Sequence, residues 1–217
     1  MQRRPKDCLA KEIVMQKIGI FGGTFDPIHK LHVKIAKAAK DSLKLDKVIM
    51  VPTGNPPHKD KTKVSSFTDR FNMVRLAIED LDGFCVSDIE NKSKLKKSYT
   101  SDTLDAFAMH YQGDQLYFIV GSDSLFSIES WKNPDNIFSK ATIVVFFRPS
   151  VSTMREFLSQ KDYLEKKYRT KIEFILNLAE DLSSTEIRDD FKKGILSLEH
   201  VDPKVRKYLE DHKLYEK

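Results

Sequence analysis

The chain has 217 residues, with 37 Lys and Arg against 32 Asp and Glu, a formal net charge of +5. Its 14 phenylalanines and interspersed charge signs exclude the disordered class, and its longest apolar runs, Leu116–Val120 and Ile143–Phe147, are far shorter than the ~20 residues of a spanning helix. The only cysteines, Cys8 and Cys85, imply no disulfide framework, so a reducing cytoplasm is the expected compartment.

Residues 1–14 are polar and basic, without the apolar stretch of a signal peptide, and read as a flexible extension before Met15. From there, β-rich runs at Ile18–Phe21, Val48–Val51, Phe84–Ile89, Leu116–Val120, Ile143–Phe147 and Ile172–Leu176 predict six strands. Amphipathic stretches intervene: Leu31 to Ala39, Phe67–Leu81, Thr103–Tyr111 and Met154–Tyr168. Two more helices, Ser183–Lys192 and Pro203–Leu209, follow the sixth strand. Strand alternating with helix predicts an α/β fold, a Rossmann-like doubly wound parallel sheet with helices on both faces and C-terminal helices beyond it. Without repeats or linkers, residues 15–217 read as one domain.

In open parallel sheets, ligands meet the carboxyl ends of strands, where helix N-termini present partial positive charge. After the first strand stands GGTFDPIHKLH, residues 22–32. Paired glycines allow close backbone approach to a phosphate, although the spacing matches neither the dinucleotide fingerprint nor the Walker loop. His29 and His32, at i and i+3 of a first helical turn, share a face and can donate to a phosphate that gains charge in a transition state. Two histidines fall short of the ligands a zinc site wants. Near the other end, LSSTEIR at residues 182–188 opens a helix. Ser183 or Ser184 can cap it, with Glu186 in its first turn, and the same hydroxyls, free amides and Arg188 can clamp a triphosphate.

These two motifs resemble those of the nucleotidyltransferase superfamily related to class I aminoacyl-tRNA synthetases. More narrowly, the chain is similar to the bacterial nicotinate-nucleotide adenylyltransferases, because VPTGNPPHK (51–59), Arg70 with Phe71, Met73 and Val74, SYT (98–100), GSDS (121–124), SWK (130–132), FRP (147–149) and a closing VRKY with Leu214 and Tyr215 occur in that family's order. The resemblance runs from about residue 16 to the end.

The resemblance implies transfer of AMP from ATP to nicotinate mononucleotide, with pyrophosphate released and Mg2+ riding on the triphosphate. It implies catalytic roles for His29, His32, Lys59 and Arg188. It places Gly22, Gly23, Thr24, Phe25, Gly121, Asp123, Ser183, Ser184 and Thr185 at ATP, and Tyr99, Thr100, Trp131, Lys132 and Arg148 at the acceptor. Trp131 would stack on the pyridine ring while backbone groups near Tyr99 and Thr100 hold its carboxylate. No protein-held metal site, nucleic-acid partner or membrane partner is expected, and a homo-oligomer stays open. The basic run Lys92–Lys97 reads as a solvated loop.

One departure stands out. Where the family has glycine between its paired histidines, this chain has Leu31, which either crowds the nucleotide or continues the apolar series of the first helix toward the core. Leu182, where isoleucine usually precedes the serines, is conservative. Two alternatives remain: a related nucleotidyltransferase with another phosphorylated acceptor, or a catalytically impaired nucleotide-binding protein.

Overall fold

The computed structural model describes residues 15–55, 64–91, 98–176, 182–194 and 200–215. The proposed extension at 1–14, Lys59 and the basic run at 92–97 lie outside these. The expected six parallel strands form one sheet: β1 (Lys17–Gly23), β2 (Lys47–Pro52), β3 (Phe84–Val86), β4 (Gln115–Gly121), β5 (Thr142–Phe146) and β6 (Ile172–Ile175), in the order β3-β2-β1-β4-β5-β6.

Because both faces of this sheet are covered, alternate residues of one strand enter two different cores, and the strands read as continuous apolar runs rather than alternating ones. Ile18 and Ile20 of β1 pack in one core and Phe21 in the other. Val48 and Met50 of β2 part in the same way from Ile49 and Val51, as do Val144 and Phe146 of β5 from Ile143 and Val145.

On one face lie α1 (Lys30–Leu43), α2 (Phe67–Ile78), α7 (Ser184–Lys192) and α8 (Pro203–Asp211), which bury Leu31, Ile35, Met73, Val74, Ile187, Val205 and Leu209. The other face is covered by α3 (Thr100–His110), α4 (Ser122–Ser127), α5 (Pro134–Lys140) and α6 (Met154–Tyr168) through Leu104, Leu125, Ile137, Phe157 and Leu164. Thr153 caps α6 by accepting from the Glu156 amide at 3.3 Å, while the Glu156 carboxylate accepts from the Thr153 amide at 2.8 Å.

Some bounds differ from expectation. The third strand ends at Val86 rather than Ile89, since the chain turns there and the Asn91 amide donates to the Asp88 carbonyl at 2.8 Å. Residues 122–140, without a sequence periodicity long enough to mark a helix, contain α4, a single 3-10 turn at Ile128–Ser130, and α5. Helix α3 begins at Thr100 rather than Thr103, so the SYT segment is its N-terminus.

Candidate active site

The strand order reverses between β1 and β4, which are hydrogen-bonded neighbours, and at such a reversal the loops diverge and leave a crevice. The chain leaves β1 through Gly22 and Gly23. Phe25 takes a left-handed φ of 51°, and its ring folds back so far that a Cβ on Gly23 would lie 2.7 Å from it. That ring is buried, edge-on to His32 with centroids 5.0 Å apart. Phe25 therefore supports the histidine, and what it can offer a nucleotide is its main chain.

A cis Asp26–Pro27 peptide leads to His29, the N-cap of α1. Its backbone N–H donates to Nδ1 of His32 at 3.3 Å, and the two rings stack with centroids 3.7 Å apart. In neutral His32 this bond leaves Nε2 as the nitrogen carrying the proton. His29 is only 3% exposed. Burial, with smaller contributions from Arg148 and His200, pushes its pKa from 6.5 down to about 3, so the ring is neutral near pH 7.

The expected helix at the serine motif starts at Ser184, and Ser183 is its cap, its Oγ accepting from the Glu186 amide at 3.2 Å. Ser184 reaches across the crevice instead, donating to the Pro27 carbonyl at 3.0 Å. Arg188 donates through Nη1 to the Asp26 carbonyl at 2.7 Å and through Nη2 to Thr185 Oγ1 at 3.1 Å. Helix α7 thus grips the turn that follows β1. On its other side Arg70, 2% exposed, donates to the carbonyls of Thr24 at 2.9 Å and Ser65 at 3.1 Å. A buried guanidinium spent on carbonyls is structural, and the burial lowers its pKa.

Gly121 ends β4, and Asp123, exposed, sits in the first turn of α4. Arg148, beyond the end of β5, was placed with the acceptor by resemblance. Its amide donates to Ser122 Oγ at 3.2 Å, its guanidinium lies over the Phe146 ring at 5.0 Å, and its charge is felt at His29. It stands beyond the end of β5, close enough to His29 for its charge to bear on that ring. Among the described residues, the buried atoms Nδ1 of His29 and Nε of Arg148 find no hydrogen-bond partner.

A second group gathers at the start of α3. Lys132 pairs with Asp102 at 2.9 Å and lies 4.7 Å above the Tyr99 ring, so the SWK turn meets the SYT segment. Trp131 lies in the bend just after the 3-10 turn, half-buried and edge-on to Phe118 at 6.5 Å. The loop after β2 is stitched to the same place. Glu90 accepts from the Gly54 amide at 3.0 Å and from Thr103 Oγ1 at 2.8 Å, while Ser98 Oγ accepts from the Asn55 amide at 3.1 Å. A Cβ on Gly54 would come within 2.2 Å of the Glu90 carbonyl. Glu90 escaped the sequence reading because a glutamate in a polar turn carries no local signal of its partners. Asp26, although inside a quoted motif, escaped because its partners come from three distant segments.

Leu31 is 2% exposed and belongs to the core under α1. Its side chain turns away from the crevice. No group of three or more metal-ligating side chains gathers among the described residues, and none of the described helices is long and apolar enough to cross a membrane.

Residues 20–190 match the model of the cytidylyltransferase-like family. The chain is 49% identical over 180 residues, 83% of its length and 89% of the relative's, to a Clostridium tetani protein named "Probable nicotinate-nucleotide adenylyltransferase". It is 41% identical over 203 residues, 93% of its length and 98% of the relative's, to a protein of the same name from Clostridium botulinum strain Alaska E43. In fold it is similar to Plasmodium falciparum nicotinic acid mononucleotide adenylyltransferase, solved in complex with NaAD (TM-score 0.75) and with APC (TM-score 0.71). Both alignments are 20% identical and cover 93% of this chain and 98% of the other.

Proposed function

We propose how this chain works from the premise that it belongs to the cytidylyltransferase-like family and, within it, to the nicotinate-nucleotide adenylyltransferases. It transfers AMP from ATP to nicotinate mononucleotide, forming nicotinate adenine dinucleotide and pyrophosphate, a step of NAD biosynthesis. A phosphate oxygen of the mononucleotide attacks the α-phosphorus of ATP. The bond from that phosphorus to the bridging oxygen breaks, and pyrophosphate leaves with the electron pair.

The attacking phosphate has a second pKa near 6 and is mostly dianionic at neutral pH, so it needs no general base. What remains for the protein is alignment and stabilisation of charge. One observation carries the assignment of the phosphate side: the crevice at the strand-order reversal holds two buried, unpartnered polar atoms, His29 Nδ1 and Arg148 Nε. An unmet buried polar atom costs about 1–3 kcal/mol, and at Arg148 Nε, an N–H donor, a phosphate oxygen relieves that cost. Beside them stands His32, and Gly22, Gly23 and Thr24 offer backbone. Arg188, held on Asp26 and Thr185, faces the same turn and keeps further N–H groups for phosphate. Lys59 joins them by resemblance.

The pyridine side is formed by Tyr99, Thr100, Trp131 and Lys132, where the N-terminus of α3 supplies amides for a carboxylate. Gly121 and Asp123, where β4 passes into α4, suit the nucleotide ribose. Because the described residues offer no cage of carboxylates or imidazoles, the donor set fits a magnesium ion held chiefly by the triphosphate, itself bound by the residues above. When bound, magnesium neutralises charge on the phosphates.

The test is pyrophosphate release from ATP with nicotinate mononucleotide, nicotinamide mononucleotide, phosphopantetheine and a sugar phosphate as acceptors. Turnover restricted to the first two, and fastest with the first, supports the reading. Faster turnover with either of the others overturns it.

A further inference from the structure

Asp26 is 2% exposed, and a carboxylate so buried is tolerated only where its oxygens are bonded. Its partners come from far along the chain. Oδ2 accepts from the Ser65 amide, just before α2, at 3.2 Å. Oδ1 accepts from the hydroxyl of Tyr215, 189 residues away, at 2.5 Å. A hydroxyl donating to a carboxylate makes a stronger bond than one between neutral groups.

Tyr215 stands beyond the end of α8 and is itself fixed. Its ring lies edge-on to Phe191 of α7, 6.5 Å between centroids, and together with Leu214 it packs against the core beneath α1. The hydroxyl is therefore delivered by a braced residue. Burial and the neighbouring Asp26 raise its pKa, so it keeps its proton at any working pH.

The residue that Tyr215 holds is at the junction of the phosphate side. The carbonyl of Asp26 is the acceptor for Arg188 Nη1, and the next carbonyl, of Pro27, is the acceptor for Ser184 Oγ. Three residues past Asp26 comes His29, whose amide fixes the His32 ring. Helix α7 grips the main chain of this turn while Tyr215 and Ser65 grip its one acidic side chain.

We infer that Tyr215 is a positioning residue for adenylyl transfer, its hydroxyl acting through the buried carboxylate of Asp26 to hold the turn that carries His29 and His32 and receives Arg188. This rests on the reading of that turn as the phosphate side. Displacements of about 1 Å around a reacting centre can cost ~10²-fold in rate, and loss of one of two anchors on Asp26 should produce part of that. Nicotinate mononucleotide, recognised at the start of α3, should bind as before.

Tyr215→Phe removes the hydroxyl and keeps the ring on Phe191. Steady-state kinetics at 20 °C, with circular dichroism confirming folded protein, should show kcat lowered about tenfold and KM for the mononucleotide changed less than about twofold. Asp26→Asn provides the second arm. If the two residues act through one bond, the double variant should lose no more kcat than the worse single variant. A kcat for Tyr215→Phe within twofold of the parent overturns the inference, as does a loss carried by KM alone, or losses that multiply in the double variant. Should Asp26→Asn not fold, the kcat and KM of Tyr215→Phe decide by themselves. Failure of the underlying function looks different, because the parent protein would then release no pyrophosphate from ATP and nicotinate mononucleotide.

Discussion

The rings of His29 and His32 stack with centroids 3.7 Å apart and planes 28° from parallel, while the backbone N–H of the first donates to Nδ1 of the second. Two protonated imidazoles in that arrangement would repel, and the buried member avoids this by staying neutral. The pair thus divides its work. His29 sits buried inside the turn, and His32 is half-buried beside it.

His32→Ala should lower kcat by about 10²–10³, the loss typical of one donor to transition-state charge. The far-UV circular dichroism should be unchanged, since α1 keeps its buried apolar face. Turnover within a few-fold of the parent would assign the ring a packing role against Phe25 and His29.

His29 predicts an acid-sensitive stability. Its pKa is lowered from 6.5 to about 3 on folding, so between those values the unfolded chain binds a proton that the folded one refuses. Unfolding free energy should then be full above pH 6.5 and fall as the pH drops, by up to about 1.4 kcal/mol per pH unit. Urea titrations from pH 7 to pH 4.5 should show this slope reduced by up to one proton in His29→Asn. Equal slopes in parent and variant would contradict the burial of a neutral ring.

Leu31→Gly tests the residue that departs from the family pattern. With the side chain in the core, the variant should lose about 3–5 kcal/mol of stability, from the cavity together with the lower helix propensity of glycine. ATP affinity should not improve. Tighter ATP binding without a shift of the urea midpoint would mean that leucine crowds the nucleotide instead.

The start of α3 predicts discrimination between acid and amide. A carboxylate accepts from every amide offered there, whereas a carboxamide turns one NH2 group toward donors and leaves buried groups unmatched. Sites of this kind discriminate by up to about 10⁴–10⁵, and a ratio of at least about 10² in kcat/KM is expected for nicotinate over nicotinamide mononucleotide. Comparable values would remove Tyr99 and Thr100 from the pyridine pocket.

The sequence by itself determined six strands and their alternation with helices, because strand and long-helix periodicities are local properties of the chain. It also determined the two motifs, GGTFDPIHKLH and LSSTEIR, since their residue types and spacing are legible within a dozen positions. Helices α4 and α5, six and seven residues long, are too short for a periodicity to mark them. Only the tertiary structure decided which segments meet. The strand order sets β4 and β5 beside β1 and thereby brings Arg148 to His29; α7 and Tyr215 close on Asp26; Glu90 ties the loop after β2 to α3. These are polar contacts between residues 13 to 189 positions apart. A hydrogen bond leaves no pattern in the residues flanking either partner, so such pairings become visible only once burial of the two cores has fixed the strands in order.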